Sequence, residues 1–233
     1  RGDNFEEIYS RLVDNKICAG DLGHLEKDIY NYLYSLELPD EPTIYDHLVL
    51  SLRGKDIIAT FNWDPLLLQA FLRNKSKSGL SLPKLLFLHG NVGTGVCLND
   101  KEAGVNGHKC SKCNQAFTPT KLLYPIRDKN YNEDTFIKDE WGMLGSSLKN
   151  AFMVTIFGYS APQSDTAAIN LLQKDWGTPE QRNLEQFEII DIKQEEELRF
   201  KEFNLLRDQV FAEWLNQQPN NAGTFEDFLT LFP

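Results

Sequence analysis

One repeated unit constrains this chain more than anything else in it: a short apolar run, a polar turn, then a helix. Lys55 to Phe61 (KDIIATF), Pro83 to Gly90 (PKLLFLHG), Ala151 to Gly158 (AFMVTIFG) and Phe187 to Ile192 (FEIIDI) are the runs. Runs of this kind, rich in β-branched residues and without polar alternation, are strands buried on both faces, and such strands belong to parallel sheets. Helical spacing fills the intervals. Pro65 to Leu72 follows the first run directly, a helix from Ile137 to Lys149 precedes the third, and Asp165 to Leu172 follows it. Ahead of the first run, Phe5 to Leu36 reads as a pair of amphipathic helices interrupted at Gly20 and Gly23. Tyr45 to Leu52 reads as a short helix stopped by Gly54. The expected fold is α/β, a doubly wound parallel sheet of the Rossmann-like kind, with ligands bound outside the carboxyl ends of the strands.

The polar residues just past those ends are therefore the candidate site. Asn62 and Asp64 follow the first run, His89 closes the second, Gly158 and Ser160 follow the third, and Asp191 lies at the end of the last. A histidine at the mouth of a sheet can act as a general base near neutral pH. Asn62 can position a substrate oxygen or a water, and Asp64 can orient the site or bond a ribose hydroxyl. Gly158 lets a ligand approach the backbone, and Ser160 can donate to a phosphate at the start of the following helix. Asp191 is placed like the acidic residue that binds an adenosine ribose in dinucleotide folds. Each has a plainer reading, since a histidine closing a strand is often structural and Asn-x-Asp is ordinary turn chemistry. Their joint occurrence on successive strand ends favours the site.

Residues 91–118 differ in character, with several glycines, Cys97, Cys110 and Cys113, and few large apolar side chains. Such a stretch cannot pack its own core and reads as a small inserted module. Cys110 and Cys113 form a Cys-x-x-Cys pair, and Cys97 has Asp100 three residues after it.

Composition narrows the function classes. The formal net charge of −10 and the absence of a basic cluster longer than Arg73 to Lys77 argue against a direct nucleic-acid partner. No apolar run approaches the roughly 18 residues of a membrane span, and the cysteines are too few for a secreted disulfide framework. The chain is expected to be cytoplasmic, with no membrane partner.

Thr60-Phe61-Asn62-Trp63-Asp64 resembles the Thr-x-Asn-x-Asp motif of the sirtuins, Leu88-His89-Gly90 is similar to their Leu-His-Gly, and Ile156 to Ser160 resembles their strand and Gly-x-Ser turn. The resemblance spans roughly residues 55–192. It implies that residues 1–233 form a sirtuin-like NAD-binding domain with a zinc-ribbon-like module inserted at 91–118. The family's ribbon normally carries two Cys-x-x-Cys pairs, so the resemblance implies a structural zinc held by Cys97, Cys110 and Cys113, with Asp100, at the spacing of the missing cysteine, or His108 as the fourth ligand; the alternative is a degenerate ribbon without metal. It also implies that Asn62 helps cleave the nicotinamide glycosidic bond, that His89 is the general base, and that Asp64 supports the nicotinamide end. Thr60, Gly158, Ser160 and Asp191 would then hold the dinucleotide. The family's glycine-rich loop is not in this chain and is expected upstream of Arg1. The peptide-binding segment of the family's deacylases is not visible either, because Tyr124 to Tyr131 reads YPIRDKNY.

These departures resemble the bacterial sirtuin-like branch that hydrolyses NAD in antiviral defence. The implied activity is an NAD glycohydrolase giving nicotinamide and ADP-ribose, with NAD as the small-molecule partner and control by another domain or by homo-oligomer assembly. An NAD-dependent protein deacylase and a non-catalytic NAD or ADP-ribose sensor are the alternatives.

Overall fold

The first two apolar runs pair in parallel. Ile57–Thr60 forms β1 and Lys84–Phe87 forms β2, in register from Ile57 opposite Lys84 to Thr60 opposite Phe87. A parallel pair needs a crossover, and helix α4, Leu66–Ser78, supplies it. The computed structural model describes residues 5–14, 19–79, 81–126, 129–159, 165–176 and 186–190. Cys18, Ser160, Asp191 and the helical tail expected from Phe200 to Phe232 lie outside the described residues. The chain divides into two compact units, Arg1–Leu144 and Gly145–Pro233.

Helices α1 (Phe5–Asp14), α2 (Ala19–Tyr34) and α3 (Ile44–Ser51) precede β1 in the first unit. The expected interruption at Gly20 and Gly23 does not occur, because α2 runs through both. Glycine inside a helix costs about 1 kcal/mol relative to alanine, which tertiary contacts can offset. Tyr30 on α2 donates its hydroxyl to the Val92 carbonyl at 3.2 Å.

Helix α4 also outruns its expected end, Leu72, by continuing to Ser78 and stopping at Gly79 in a left-handed conformation, φ 61°. Its polar second half is anchored by Asp46 of α3, which is 4% exposed. Arg73 Nε donates to Asp46 Oδ1 at 2.9 Å and Asn74 Nδ2 to the same oxygen at 2.7 Å, while the Thr43 N–H reaches Oδ2 at 2.7 Å. Burial alone would raise the Asp46 pKa, yet the bonds from Arg73, Thr43 and Asn74 outweigh it and hold the carboxyl well below the usual carboxylate range.

Beyond β2 the chain enters a small antiparallel sheet, β3 (Thr94–Val96), β4 (Ala103–Val105) and β5 (Thr118–Pro119), in the order β4-β3-β5. Phe117 lies across Gly95 and Gly104, in the space a Cβ at either position would need. Helix α5, Thr135–Leu148, follows and runs across the boundary between the units. The fully buried centre of the first unit includes Val49, Leu86, Leu88, Val92 and Ile137.

The second unit carries its own parallel pair, β6 (Met153–Phe157) and β7 (Gln186–Ile190), in register from Met153 opposite Gln186 to Phe157 opposite Ile190. Helix α6, Thr166–Trp176, lies between them in sequence. Each unit thus shows the strand, helix, parallel strand arrangement read from the apolar runs. Among the described residues, no helix is long and apolar enough to cross a membrane.

Candidate active site

Thr60 and Phe87 are the last register partners of β1 and β2, so Asn62 and His89 stand at equivalent positions just past the ends of adjacent parallel strands. Local chemistry shapes the first loop. The Thr60 hydroxyl accepts the Asn62 N–H at 3.0 Å and turns the chain as β1 ends. Asp64 Oδ1 accepts the Leu66 N–H at 3.0 Å and starts α4. Asn62 is exposed between these two turns. The Tyr45 hydroxyl of α3 faces it: burial and then the Asp64 charge raise the Tyr45 pKa, and the hydrogen bond from the Asn62 amide opposes them.

The second loop is laced to the first. Leu88 donates its N–H to the Thr60 carbonyl at 3.0 Å, continuing the ladder one residue beyond β2, and Val92 donates to the Trp63 carbonyl at 2.9 Å. Between them, Gly90 turns back to the Phe87 carbonyl at 3.1 Å with φ 79°. A Cβ at Gly90 would lie 2.0 Å from the Lys121 carbonyl oxygen, so only glycine fits. This turn is why β2 stops short of His89.

Asn91 ties the two loops together. It is 1% exposed, and its Nδ2 donates to the Asp64 carbonyl at 2.5 Å and to the Asn62 carbonyl at 3.4 Å. Its Oδ1 accepts the Gly93 N–H at 2.8 Å. Its own carbonyl accepts the hydroxyls of Thr120 at 2.9 Å and Thr94 at 3.0 Å.

His89 is 5% exposed inside an aromatic enclosure. The Phe61 ring meets it edge-on at 4.7 Å, and the Tyr131 hydroxyl lies 2.9 Å from Nε2. Its backbone is fixed too, because the His89 carbonyl accepts the Leu123 N–H at 3.0 Å. Helix α5 completes the surround: Trp141 Nε1 donates to the Leu88 carbonyl at 3.0 Å, and the Phe87 N–H donates to Glu140 Oε2 at 2.5 Å. Desolvation pushes the Glu140 pKa up to about 7, despite the Phe87 N–H and the nearby Lys84 charge.

Sequence reading named Asn62, Asp64 and His89 as candidates and did not name their neighbours Asn91, Tyr45, Tyr131, Glu140 and Trp141. Asn91 had one visible signal, an amide placed directly after the His89-Gly90 turn and before Val92.

In the second unit Gly158 has φ 64° and donates its N–H to the Ile190 carbonyl at 2.8 Å. That N–H is therefore spent on β7, and what Gly158 offers a ligand is approach: it is exposed, and a Cβ there would meet nothing within 4 Å. Ser160 and Asp191 fall outside the described residues.

In the small module, Cys97, Asp100, Cys110 and Cys113 bring their ligand atoms within 4.8 Å of one another, and His108 is not part of the cluster. Cys97 Sγ lies 3.4 Å from Cys113 Sγ, and Asp100 Oδ2 lies 3.5 Å from Cys97 Sγ and 3.3 Å from Cys110 Sγ. A tetrahedral zinc with ordinary bond lengths sets its ligand atoms roughly 3.6–3.8 Å apart, so the donor set fits that ion with small adjustments. Hydrogen bonds from Cys113 and Cys110 lower the Asp100 pKa, and the bond to Asp100 pushes Cys113 up to about 12.

No family model and no curated protein matches this chain. Solved structures do. One is Sir2 in complex with the inhibitor EX-527, 2'-O-acetyl-ADP-ribose and deacetylated p53 peptide, at 14% identity over 86% of this chain and 77% of that one, TM-score 0.43. A Sir2 enzyme structure described under mechanism and regulation matches at 13% over 76% and 67%, TM-score 0.41. A Sir2, p53 peptide and NAD+ structure matches at 15% over 63% and 54%, TM-score 0.31. The chain thus spans little more than half of the last of these. At TM-scores this low, the likeness adds nothing to the chemistry of the residues themselves.

The buried Glu140 carries a pH signature. Its pKa of about 7 stands above the ordinary 4.5, so folding favours the protonated acid. That contribution is complete below pH 4.5 and is lost as pH rises through 7. Glu140→Gln, which mimics the protonated acid, should be more stable than the parent above neutral pH by up to about 3 kcal/mol, with the gap closing under acid. Urea unfolding across pH checks this, and parallel stability curves for the two proteins would contradict it.

Proposed function

We propose that the ends of β1 and β2 cleave the nicotinamide N-glycosidic bond of NAD with water, giving nicotinamide and ADP-ribose. The observation that carries this reading is the paired position of Asn62 and His89 beyond the Thr60–Phe87 register, bound into one unit by Asn91. It puts the Thr-x-Asn-x-Asp-like and Leu-His-Gly-like segments side by side within the first unit. Asn62 holds the attacking water at the ribose carbon. As the new carbon–oxygen bond forms, the carbon–nitrogen bond breaks and its electron pair leaves with nicotinamide, which thereby becomes neutral. His89 takes the proton released by the water. Asp64 acts at the nicotinamide end, through the turn it builds at the start of α4 and the charge it presents toward Tyr45. Thr60 contributes by shaping the same loop, and for Gly158, Ser160 and Asp191 the sequence resemblance supports a role in holding the dinucleotide.

Cys97, Asp100, Cys110 and Cys113 would hold a zinc ion whose contribution is structural, cross-linking a module with little apolar core of its own. Resemblance to the defence branch of NAD hydrolases supports a role in antiviral defence, with another domain or self-assembly controlling the activity.

Full-length protein incubated with NAD should release nicotinamide without an added peptide, and His89→Ala or Asn62→Ala should slow that release about 100-fold or more. Release that requires an acylated lysine peptide would replace this reading with a deacylase. NAD binding without release would replace it with a sensor, and unchanged release in either variant would remove these residues from the reaction. For the module, purified protein should contain zinc at one equivalent per chain, and Cys110→Ser should lose it and unfold the module at lower temperature. A metal-free, equally stable native protein would contradict the zinc assignment.

A further inference from the structure

Trp63 stands in the loop between Asn62 and Asp64, and the polar end of its ring has nothing to bond. Its indole nitrogen Nε1 is enclosed, and among the described residues it is the one enclosed side-chain nitrogen or oxygen without a hydrogen-bond partner. The direction of any bond it makes is fixed, because an indole N–H only donates. Nearby groups are already committed. The Trp63 carbonyl accepts the Val92 N–H at 2.9 Å, and the Tyr124 ring meets the indole edge-on with centroids 5.2 Å apart. The Tyr124 hydroxyl donates to the Glu26 carbonyl at 3.1 Å. An enclosed donor left unmet costs free energy, and violations of this kind concentrate at functional sites.

We propose that the Trp63 indole N–H donates to the carboxamide oxygen of nicotinamide, which makes Trp63 a specificity residue for the leaving group of NAD. This rests on the reading of the strand ends as the site of NAD cleavage. Position narrows the acceptor first. Trp63 adjoins both Asn62, assigned to the ribose carbon, and Asp64, assigned to the nicotinamide end. Consecutive Cα atoms are only about 3.8 Å apart, so the acceptor belongs to the part of NAD nearest the bond that breaks. Charge then disfavours a phosphate oxygen, because an anion is costly in an enclosed aromatic setting and is repelled by the Asp64 carboxylate. A ribose hydroxyl brings a hydrogen that needs an acceptor of its own. The carboxamide oxygen is an uncharged acceptor carried on a flat ring, and flat rings pack well beside Trp63 and Tyr124. Nicotinamide takes the place of the atoms that cover the N–H in this structure, and the new bond offsets part of the cost of moving them. The bond is available before and after cleavage alike, so Trp63 acts on binding rather than on the chemical step.

Replacing Trp63 with benzothienylalanine, a near-isostere that carries sulfur in place of the N–H, separates the donor from the ring. In full-length protein the Trp63 indole N–H resonance is identified among the four tryptophans by its loss in Trp63→Phe. It should move downfield on adding nicotinamide, and not on adding 3-methylpyridine, which lacks the carboxamide, or ADP-ribose. The isostere should bind nicotinamide about 10-fold more weakly and raise KM for NAD by a similar factor, with kcat nearly unchanged. Without ligand it should unfold at a temperature no lower than the parent. A resonance that ignores saturating nicotinamide or responds equally to either control would overturn the proposal, as would an isostere that binds nicotinamide like the parent. An isostere that unfolds at lower temperature would overturn it too, since the N–H would then be bonded within the protein. If the resonance responds as expected while the parent releases no nicotinamide from NAD, the cleavage reading fails and the Trp63 contact stands. Release from the parent with a silent resonance would do the reverse.

Discussion

Everything about the candidate site depends on one buried amide. Asn91 is almost fully enclosed, and its side chain reaches across to the carbonyls of Asn62 and Asp64 while accepting the Gly93 N–H. A buried primary amide is costly to leave unsatisfied, on the order of 1–3 kcal/mol for each missing partner. The two loops are therefore held in the one arrangement that satisfies it. Thr94 and Thr120 extend the same network into the inserted module, so the small sheet is tied to the strand ends rather than hanging from them. Gly90 makes this geometry feasible, because any side chain there would strike the Lys121 carbonyl.

The surround of His89 follows from that frame. Once the turn after β2 is fixed, the imidazole sits between Phe61 from the first loop and Tyr131 from the segment before α5. Helix α5 contributes Trp141 and Glu140 to backbone groups of Leu88 and Phe87. A carboxyl whose pKa is raised to about 7 by desolvation is a sign of how dry this region is. Dryness of this kind strengthens each polar interaction near His89 and raises the cost of misplacing one.

The sequence carried the strands and their ends clearly, because those signals are local. Apolar runs such as Ile57 to Phe61 announce a buried strand, and a polar residue at a run's end announces a strand mouth. Partners that approach from far along the chain left no comparable mark. Asn91 meets Asp64 across 27 residues and Phe87 meets Glu140 across 53, and nothing in the local pattern around Glu140 distinguishes it from a solvated helix residue. Helix ends were misread for a related reason. The helix was expected to end at Leu72, before the polar half of α4, where Asp46, brought in by α3, gives Arg73 and Asn74 a reason to stay helical. Cysteine spacing did better, since ligand pairs in a ribbon are close in sequence. Even so, the sequence kept His108 as an alternative to Asp100, and the folded module brings Asp100 in among the thiols.

The central claim is that Asn62 and His89 act as one catalytic unit on NAD because Asn91 holds their loops together. A double-mutant cycle on nicotinamide release tests it most directly, comparing Asn62→Ala, His89→Ala and the combined variant. The account predicts strong non-additivity, with the combined variant little slower than the slower single variant. Independent, multiplying losses would contradict it, as would any variant of the set that releases nicotinamide at the parent's rate.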